Sequence, residues 1–163
     1  MRHSVQSIPK GYHSVTPSLV VNDGARAIDF YKRAFGAQEK SRLDGPDGKV
    51  VHAELKIGDS LIMLSDELPE SSTRSPRTLR GSSVGIFLYV DNVDDVFRQA
   101  VSAGATAEAQ PSDMFWGDRF GALTDPFGHH WSLATHKEDV SREEMAKRGK
   151  EFMSKMAHQA QPA

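Results

Sequence analysis

Ser18-Leu19-Val20-Val21-Asn22-Asp23 is an apolar strand running into a polar cap, and Phe87-Leu88-Tyr89-Val90-Asp91-Asn92 repeats it far downstream. Each leads into an apolar-periodic stretch. The first closes on Ala34-Phe35-Gly36-Ala37 and the second on Val101-Ser102-Ala103-Gly104-Ala105. Each then ends in a turn and an apolar strand: Ile57-Gly58-Asp59-Ser60-Leu61-Ile62-Met63-Leu64 in one, Asp125-Pro126-Phe127-Gly128-His129-His130-Trp131-Ser132-Leu133 in the other. A strand, a helix and a sheet repeated at long range describe a duplicated supersecondary unit. Such a unit cannot bury its own apolar face and must pair. The groove between paired units is the place for a ligand.

The 163 residues suit one compact domain, or two small modules sharing a core, and 38% of them are apolar. Twenty Lys and Arg stand against 22 Asp and Glu, a net charge of −2. That leaves no basic field to attract nucleic acid. No apolar run reaches membrane-spanning length, and Met1 to Lys10 carries no stretch that could serve as a signal peptide. A cytoplasmic location is the expectation. The absence of cysteine excludes disulfides, thiolate metal sites and a thiol nucleophile.

Residues 1–11 read as a polar arm over the surface, 12–66 as the first module and 67–80, with Pro69, Pro76 and several serines, as a linker. Residues 81–136 form the second module, and 137–163 a helix and tail. In the first module a strand spans Thr16 to Val21, and Asn22 or Asp23 caps a helix. Its apolar face is Ala27, Ile28, Phe30, Tyr31, Ala34 and Phe35, and Gly36 ends it. Strands follow at Lys40 to Asp44, Val50 to Ile57 and Leu61 to Ser65. The middle one alternates: Val51, Ala53, Leu55 and Ile57 on one face, His52, Glu54 and Lys56 on the other. The second module reads as a strand over Ser83 to Val90 and a helix striped by Val93, Val96, Phe97, Ala100 and Val101. A weak strand over Thr106 to Ala109, a loop over Gln110 to Gly117 and strands over Asp118 to Thr124 and His130 to Thr135 complete it. Ser141 with Glu144 is a capping box that opens a last helix, running to about Met156.

A paired βαβββ unit with Asp125-Pro126-Phe127-Gly128 before its last strand resembles the vicinal oxygen chelate superfamily. That group includes glyoxalases, fosfomycin- and bleomycin-resistance proteins and extradiol dioxygenases. Gly11-Tyr12-His13-Ser14-Val15-Thr16-Pro17, Ile28 to Ala37, His52 to Ser60, Phe115 to Gly121 and Asp125 to Trp131 are similar to its PhnB-like, glyoxalase-related branch. The resemblance implies an α+β fold: two βαβββ modules pairing to form a cup-shaped mixed sheet with helices outside. It implies a homodimer with two equivalent cups. It also implies a divalent metal held by four His, Gln or Glu ligands from the first and last strands of both modules. Those positions fall here on Thr16, Met63, Gly85 and Ser132, at one constant offset between modules. None is a His or a carboxylate. A thioether is a soft ligand and a hydroxyl a poor one. The expectation is that the superfamily's metal site is absent, which leaves any cofactor unknown.

Other residues could still carry chemistry. His52 and Glu54 share a strand face. They could act as a general acid/base pair or hold a metal in a nonstandard place, or simply be the polar side of an open sheet. His130 shares parity with Ser132 and faces the cup, as a ligand contact or at a dimer seam. Phe115, Trp116 and Arg119 could lid a pocket and pair with an acidic ligand; alternatively Arg119 pairs with Asp118 or another nearby acid. Tyr89 lines the cup or an interface. The function expected first is binding of a small organic molecule, in the manner of bleomycin-resistance proteins, with Thr16, Met63, Tyr89, Phe115, Trp116, Arg119, His130 and Ser132 around it. A lyase, isomerase or dioxygenase using His52, Glu54 and His130 is the alternative, and a homodimeric scaffold with a vestigial cup is a third. Whether the protein is an enzyme stays open at this point.

Overall fold

The computed structural model describes residues 5–159, with side chains through residue 157. The first four residues of the expected arm and the last four of the expected tail lie outside the described residues. The elements run β1 (Ser18–Val21), α1 (Gly24–Phe35), β2 (Gln38–Asp44), β3 (Val50–Ile57), β4 (Ser60–Asp66) and α2 (Pro76–Leu79). The second half is β5 (Gly85–Tyr89), α3 (Val93–Ala103), β6 (Thr106–Asp113), β7 (Asp118–Thr124), β8 (His130–His136) and α4 (Arg142–Gln159). They build two four-stranded sheets, ordered β1-β4-β3-β2 and β5-β8-β7-β6. In each, the first strand runs parallel to the last and the other pairs are antiparallel. Ser18 lies opposite Met63 as Phe87 lies opposite Ser132, so the duplication holds residue by residue. The class is α+β, and the sheets are open rather than closed into a barrel.

Local chemistry sets most boundaries. Asp23 accepts from the Arg26 amide and Asn92 from the Asp95 amide, each at 3.2 Å, capping α1 and α3. Gly36 ends α1 in the left-handed conformation, at φ 65°. Where structure and expectation differ, a backbone reason is visible. β1 starts after Pro17, which has no amide to donate; the Pro17 carbonyl still accepts from Met63, at 2.8 Å. β6 runs on to Asp113 through Pro111, tolerated because β6 is an edge strand. Val50 rather than Val51 is fully buried, because the β2–β3 register slips between Leu43 and Asp44. The capping box of α4 forms only by half. Ser141 accepts from the Glu144 amide at 3.2 Å, but the Glu144 carboxylate takes Arg148 at 2.8 Å instead of reaching back.

One core serves both modules. α1 and α3 pack on each other, and the rings of Tyr31 and Phe35 reach Trp131 of the second sheet, with centroids 5.4 and 4.6 Å away. At their junction lies Asp125, 4% exposed. Its Oδ2 accepts from the Tyr31 hydroxyl at 2.6 Å and from the Trp131 indole at 2.9 Å. Its Oδ1 accepts from the amides of Phe127 and His129, at 2.9 and 3.0 Å. Burial, with the Asp125 charge beside it, pushes the Tyr31 phenol well above its ordinary value. The Asp-Pro-Phe-Gly turn is thus a clasp as well as a corner. The turn closes as the Gly128 amide donates to the Asp125 carbonyl at 3.1 Å, with Gly128 at φ 92°.

Because one Asp125→Ala substitution strands four buried donors, it should cost at least about 3 kcal/mol, against about 1–2 kcal/mol for Tyr31→Phe. Urea denaturation measures both. A loss below about 1 kcal/mol for Asp125→Ala would show that the clasp does not hold the modules together.

Candidate functional site

Each sheet buries one face under helices and leaves the other open. On the first sheet, Leu55 and Leu64 point inward and are fully buried. The opposite parity forms a polar row across four strands: Ser18, Met63, Glu54 and Ser41, each paired with the next. His52 lies on the same face, its Nε2 3.5 Å from Glu54 Oε1. His52 and Glu54 therefore do come together on an accessible face.

The junction of the expected arm and the first module, Gly11 and Tyr12, lies against that face. A side chain added at Gly11, itself at φ 89°, would touch Leu61 at 3.6 Å. Tyr12 turns its hydroxyl toward Glu54, out of solvent, yet no acceptor meets it with full hydrogen-bonding geometry. The interaction with Glu54, then burial and the carboxylate's charge, push the phenol up to about 12. In return the Tyr12 hydroxyl, with Ser41 and His52, outweighs burial and holds Glu54 below the usual carboxylate range. Tyr12 was not among the expected site residues, since the stretch before β1 has no periodicity to show where it docks.

The open face of the second sheet is aromatic. Phe87 and Tyr89 on β5 have ring centroids 5.0 Å apart, and Phe120 on β7 lies 5.9 Å from Phe87. Trp116 lies 5.8 Å from Phe120, Phe115 5.1 Å from Trp116, and Phe152 of α4 5.3 Å from Phe115. Strand parity could have flagged Phe87 and Phe120, which face the same way as Tyr89 and Ser132. Ser132 sits between Phe87 and Ala122 in this sheet.

A buried carboxylate organises the aromatic end. Asp118, 4% exposed, accepts on one oxygen from the Tyr89 hydroxyl and the Trp116 indole, both at 3.1 Å. Its other oxygen lies 2.8 Å from His136 Nδ1, while His136 Nε2 lies 2.9 Å from Asp139. An imidazole can satisfy two carboxylates only when both nitrogens carry protons. The hydrogen bonds to Asp118 and then Asp139 accordingly raise the His136 pKa above its ordinary 6.5. Gly117 closes this loop with no room for a side chain: it sits at φ 99°, and a Cβ would lie 2.1 Å from the Glu138 carbonyl oxygen.

Arg119 pairs with acids. It turns to the helix side, where Asp94 takes it through two bonds of 2.6 and 2.8 Å and Asp113 through one of 3.2 Å. Neighbours on a strand face opposite ways, so Asp118 and Arg119 serve different faces. His130 is not brought to His52 and Glu54 within one chain. It opens β8, an inner strand of the second sheet, 2.8 Å from Glu108 and 3.0 Å from Thr124.

The superfamily's metal positions do not fit a metal. Thr16 donates its hydroxyl to the His13 carbonyl at 3.2 Å. Met63 offers a thioether, Gly85 no side chain and Ser132 a hydroxyl, a poor set for a divalent ion. Among the described residues no three His, Cys, Asp or Glu side chains gather as ligands elsewhere. A pocket of about 160 Å³ lies at the seam between the modules, lined by Thr16, Ile57, Leu61, Ile86, Phe87 and Trp131 among others.

The model of the Glyoxalase/Bleomycin resistance protein/Dioxygenase superfamily matches residues 11–133. The chain belongs to this superfamily. An uncharacterized Mycobacterium bovis protein is 45% identical over 135 residues, covering 81% of this chain and 89% of its own. TioX from Micromonospora sp. ML1 is 26% identical with a TM-score of 0.60, over 76% of this chain and 98% of TioX. A structure from Arabidopsis thaliana reaches 30% identity and a TM-score of 0.59, over the same shares. The PhnB protein from Bacillus cereus, 19% identical with a TM-score of 0.59 over 76% of this chain and 99% of its own, shares the fold.

The His136 bridge makes this superfamily member's stability depend on pH. A histidine whose folded pKa is raised stabilises fully below its ordinary pKa and loses that contribution as pH rises through the folded value. The melting-temperature gap between wild type and His136→Gln should be widest below pH 6.5 and close at higher pH. A gap that stays constant with pH would rule out a charged His136.

Proposed function

We propose that this protein binds a small organic molecule between an aromatic and a polar sheet face, without the superfamily's metal. The supporting observation is the run of rings on an open face: Phe87 is 49% and Tyr89 61% exposed, with Phe120 and Trp116 continuing the surface. Contiguous apolar surface of this kind marks an interaction site rather than ordinary solvent exposure. Flat rings also give a ligand contact area at little conformational cost. The donor set at Thr16, Met63, Gly85 and Ser132 favours binding without Lewis-acid assistance.

The second wall comes from a second copy. Within one chain the modules share their helix side, so their open faces do not form a cup together. A two-fold dimer that set module one of each protomer against module two of its partner would form two equivalent cups. Each would join the Ser18–Met63–Glu54–Ser41 row to the Phe87–Tyr89–Phe120 surface. Tyr89, Phe115, Trp116 and Ser132 would line or frame the aromatic wall, with Thr16 and Met63 at the polar one. A second reading is acid/base catalysis. It is favoured by the 3.5 Å approach of His52 to Glu54 on an accessible face, and it requires His130 to arrive from the partner.

Thermal denaturation against a library of small aromatic compounds, with chromatography of each compound afterwards, separates these readings. Binding predicts that some compound raises Tm and is recovered unchanged, and that Phe87→Ala weakens it roughly tenfold. Conversion of the compound, abolished by Glu54→Gln in a folded protein, would establish catalysis instead. A monomer in sedimentation that shows no shift with any compound would contradict the proposal.

A further inference from the structure

Glu54 is an ionised carboxylate without a cation of matching strength. Two basic side chains of its own sheet are engaged elsewhere: Lys40 donates to Gln38 at 3.1 Å and Arg42 to Asp44 at 2.7 Å. Lys56, on the same strand face, is exposed. Among the described residues the ion-pair neighbour of Glu54 is His52, at 3.5 Å. What covers Glu54 is the Tyr12 hydroxyl, shielded from solvent and incompletely bonded.

The segment that carries Tyr12 is held lightly. Its turn closes through the Tyr12 amide and the Pro9 carbonyl, 3.0 Å, and it rests on Leu61 at Gly11. The Thr16 hydroxyl donates to its His13 carbonyl at 3.2 Å. Val15 stays in water, 85% exposed. A segment docked for stability would bury that residue. This one places a single phenol over a carboxylate and commits little else.

We propose that residues 9–15 are a displaceable strap, and that Tyr12 occupies the place of a ligand's hydrogen-bond donor on Glu54. The group that displaces it is an organic ammonium. The proposal rests on the small-molecule reading given above and assigns the ligand's polar end. An ammonium is the donor that best outcompetes a neutral phenol at a carboxylate, because its hydrogen bonds are charge-assisted. It also brings three donors, and the Ser41 hydroxyl stands beside Glu54 in the row as a further acceptor. In the dimeric cup of that reading the aromatic wall faces Glu54 from the second copy, so a ligand with an ammonium at Glu54 carries its apolar body toward the rings. Closure of the strap lowers apparent affinity by the fraction of molecules that are open.

The test is calorimetric titration of the full-length protein with benzylammonium, and with benzyl alcohol as the neutral control. Wild type, Tyr12→Phe, Tyr12→Ala and Glu54→Gln are compared. Tyr12 lies outside the core, and circular dichroism checks that each variant is folded. Benzylammonium should bind Tyr12→Ala roughly five- to tenfold more tightly than wild type, with Tyr12→Phe between them. Glu54→Gln should lose the binding, and benzyl alcohol should bind more weakly throughout. Equal affinity for wild type and Tyr12→Ala would overturn the strap. Equal affinity for amine and alcohol would overturn the ammonium assignment. Either result leaves small-molecule binding intact, as does amine silence in a protein that still binds compounds from the aromatic library. Silence toward both sets would end both proposals.

Discussion

The Asp125 carboxylate is the point on which the architecture turns. It collects a phenol from the first module and an indole and two amides from the second. Four donors converging on one buried anion fix the modules' relative placement in a way that apolar packing alone does not, because hydrogen bonds to a buried charge tolerate little displacement. Once α1 and the last turn of the second sheet are clasped, both modules share one core on their helix side. The other face of each sheet then has no cover from the partner module. The open faces follow from where the clasp sits.

Those two faces are chemically unlike, although duplication made their backbones alike. At equivalent positions the first sheet carries Ser18 and Met63 while the second carries Phe87 and Ser132. The first face is polar and lies under a strap from its own chain; the second is aromatic and organised by Asp118. A ligand site built from both would receive direction from Glu54 and contact area from the rings. α4 adds a third element. Phe152 extends the ring series through Phe115, and Arg148 ties the helix to Glu138 at 2.8 and 3.0 Å, beside the Asp118–His136 bridge. The C-terminal helix thus stabilises the loop that presents Trp116.

Much of this was legible in the chain. The repeat, both helix caps, the Gly36 terminator and the shared face of His52 and Glu54 all rest on local periodicity, which survives folding. What was not legible depended on contacts between distant segments or on backbone irregularity. Val50 took the buried place of Val51 through a register slip set partly by Asp66, which accepts from the Val50 amide at 2.8 Å. Arg119 had two readings, a pocket cation beside the aromatic loop or the partner of a nearby acid, and which acid takes it depends on where α3 brings Asp94. Tyr12 precedes β1 in a stretch whose composition gives no hint of its target. His136 had the same parity as His130 and Ser132 and could have been placed on that face, yet its two carboxylate partners come from elements whose approach only the tertiary structure reveals.

The central claim is a ligand site in this superfamily that works without the superfamily's metal. Elemental analysis of protein purified without chelator or added metal, repeated after exposure to nickel, zinc, iron and manganese, tests it directly. The account predicts far less than one ion per chain in both states and an unchanged Tm. Near-stoichiometric metal that chelation removes with a fall in Tm would contradict it, and would point to His52, Glu54 and His130 as ligands assembled across the dimer.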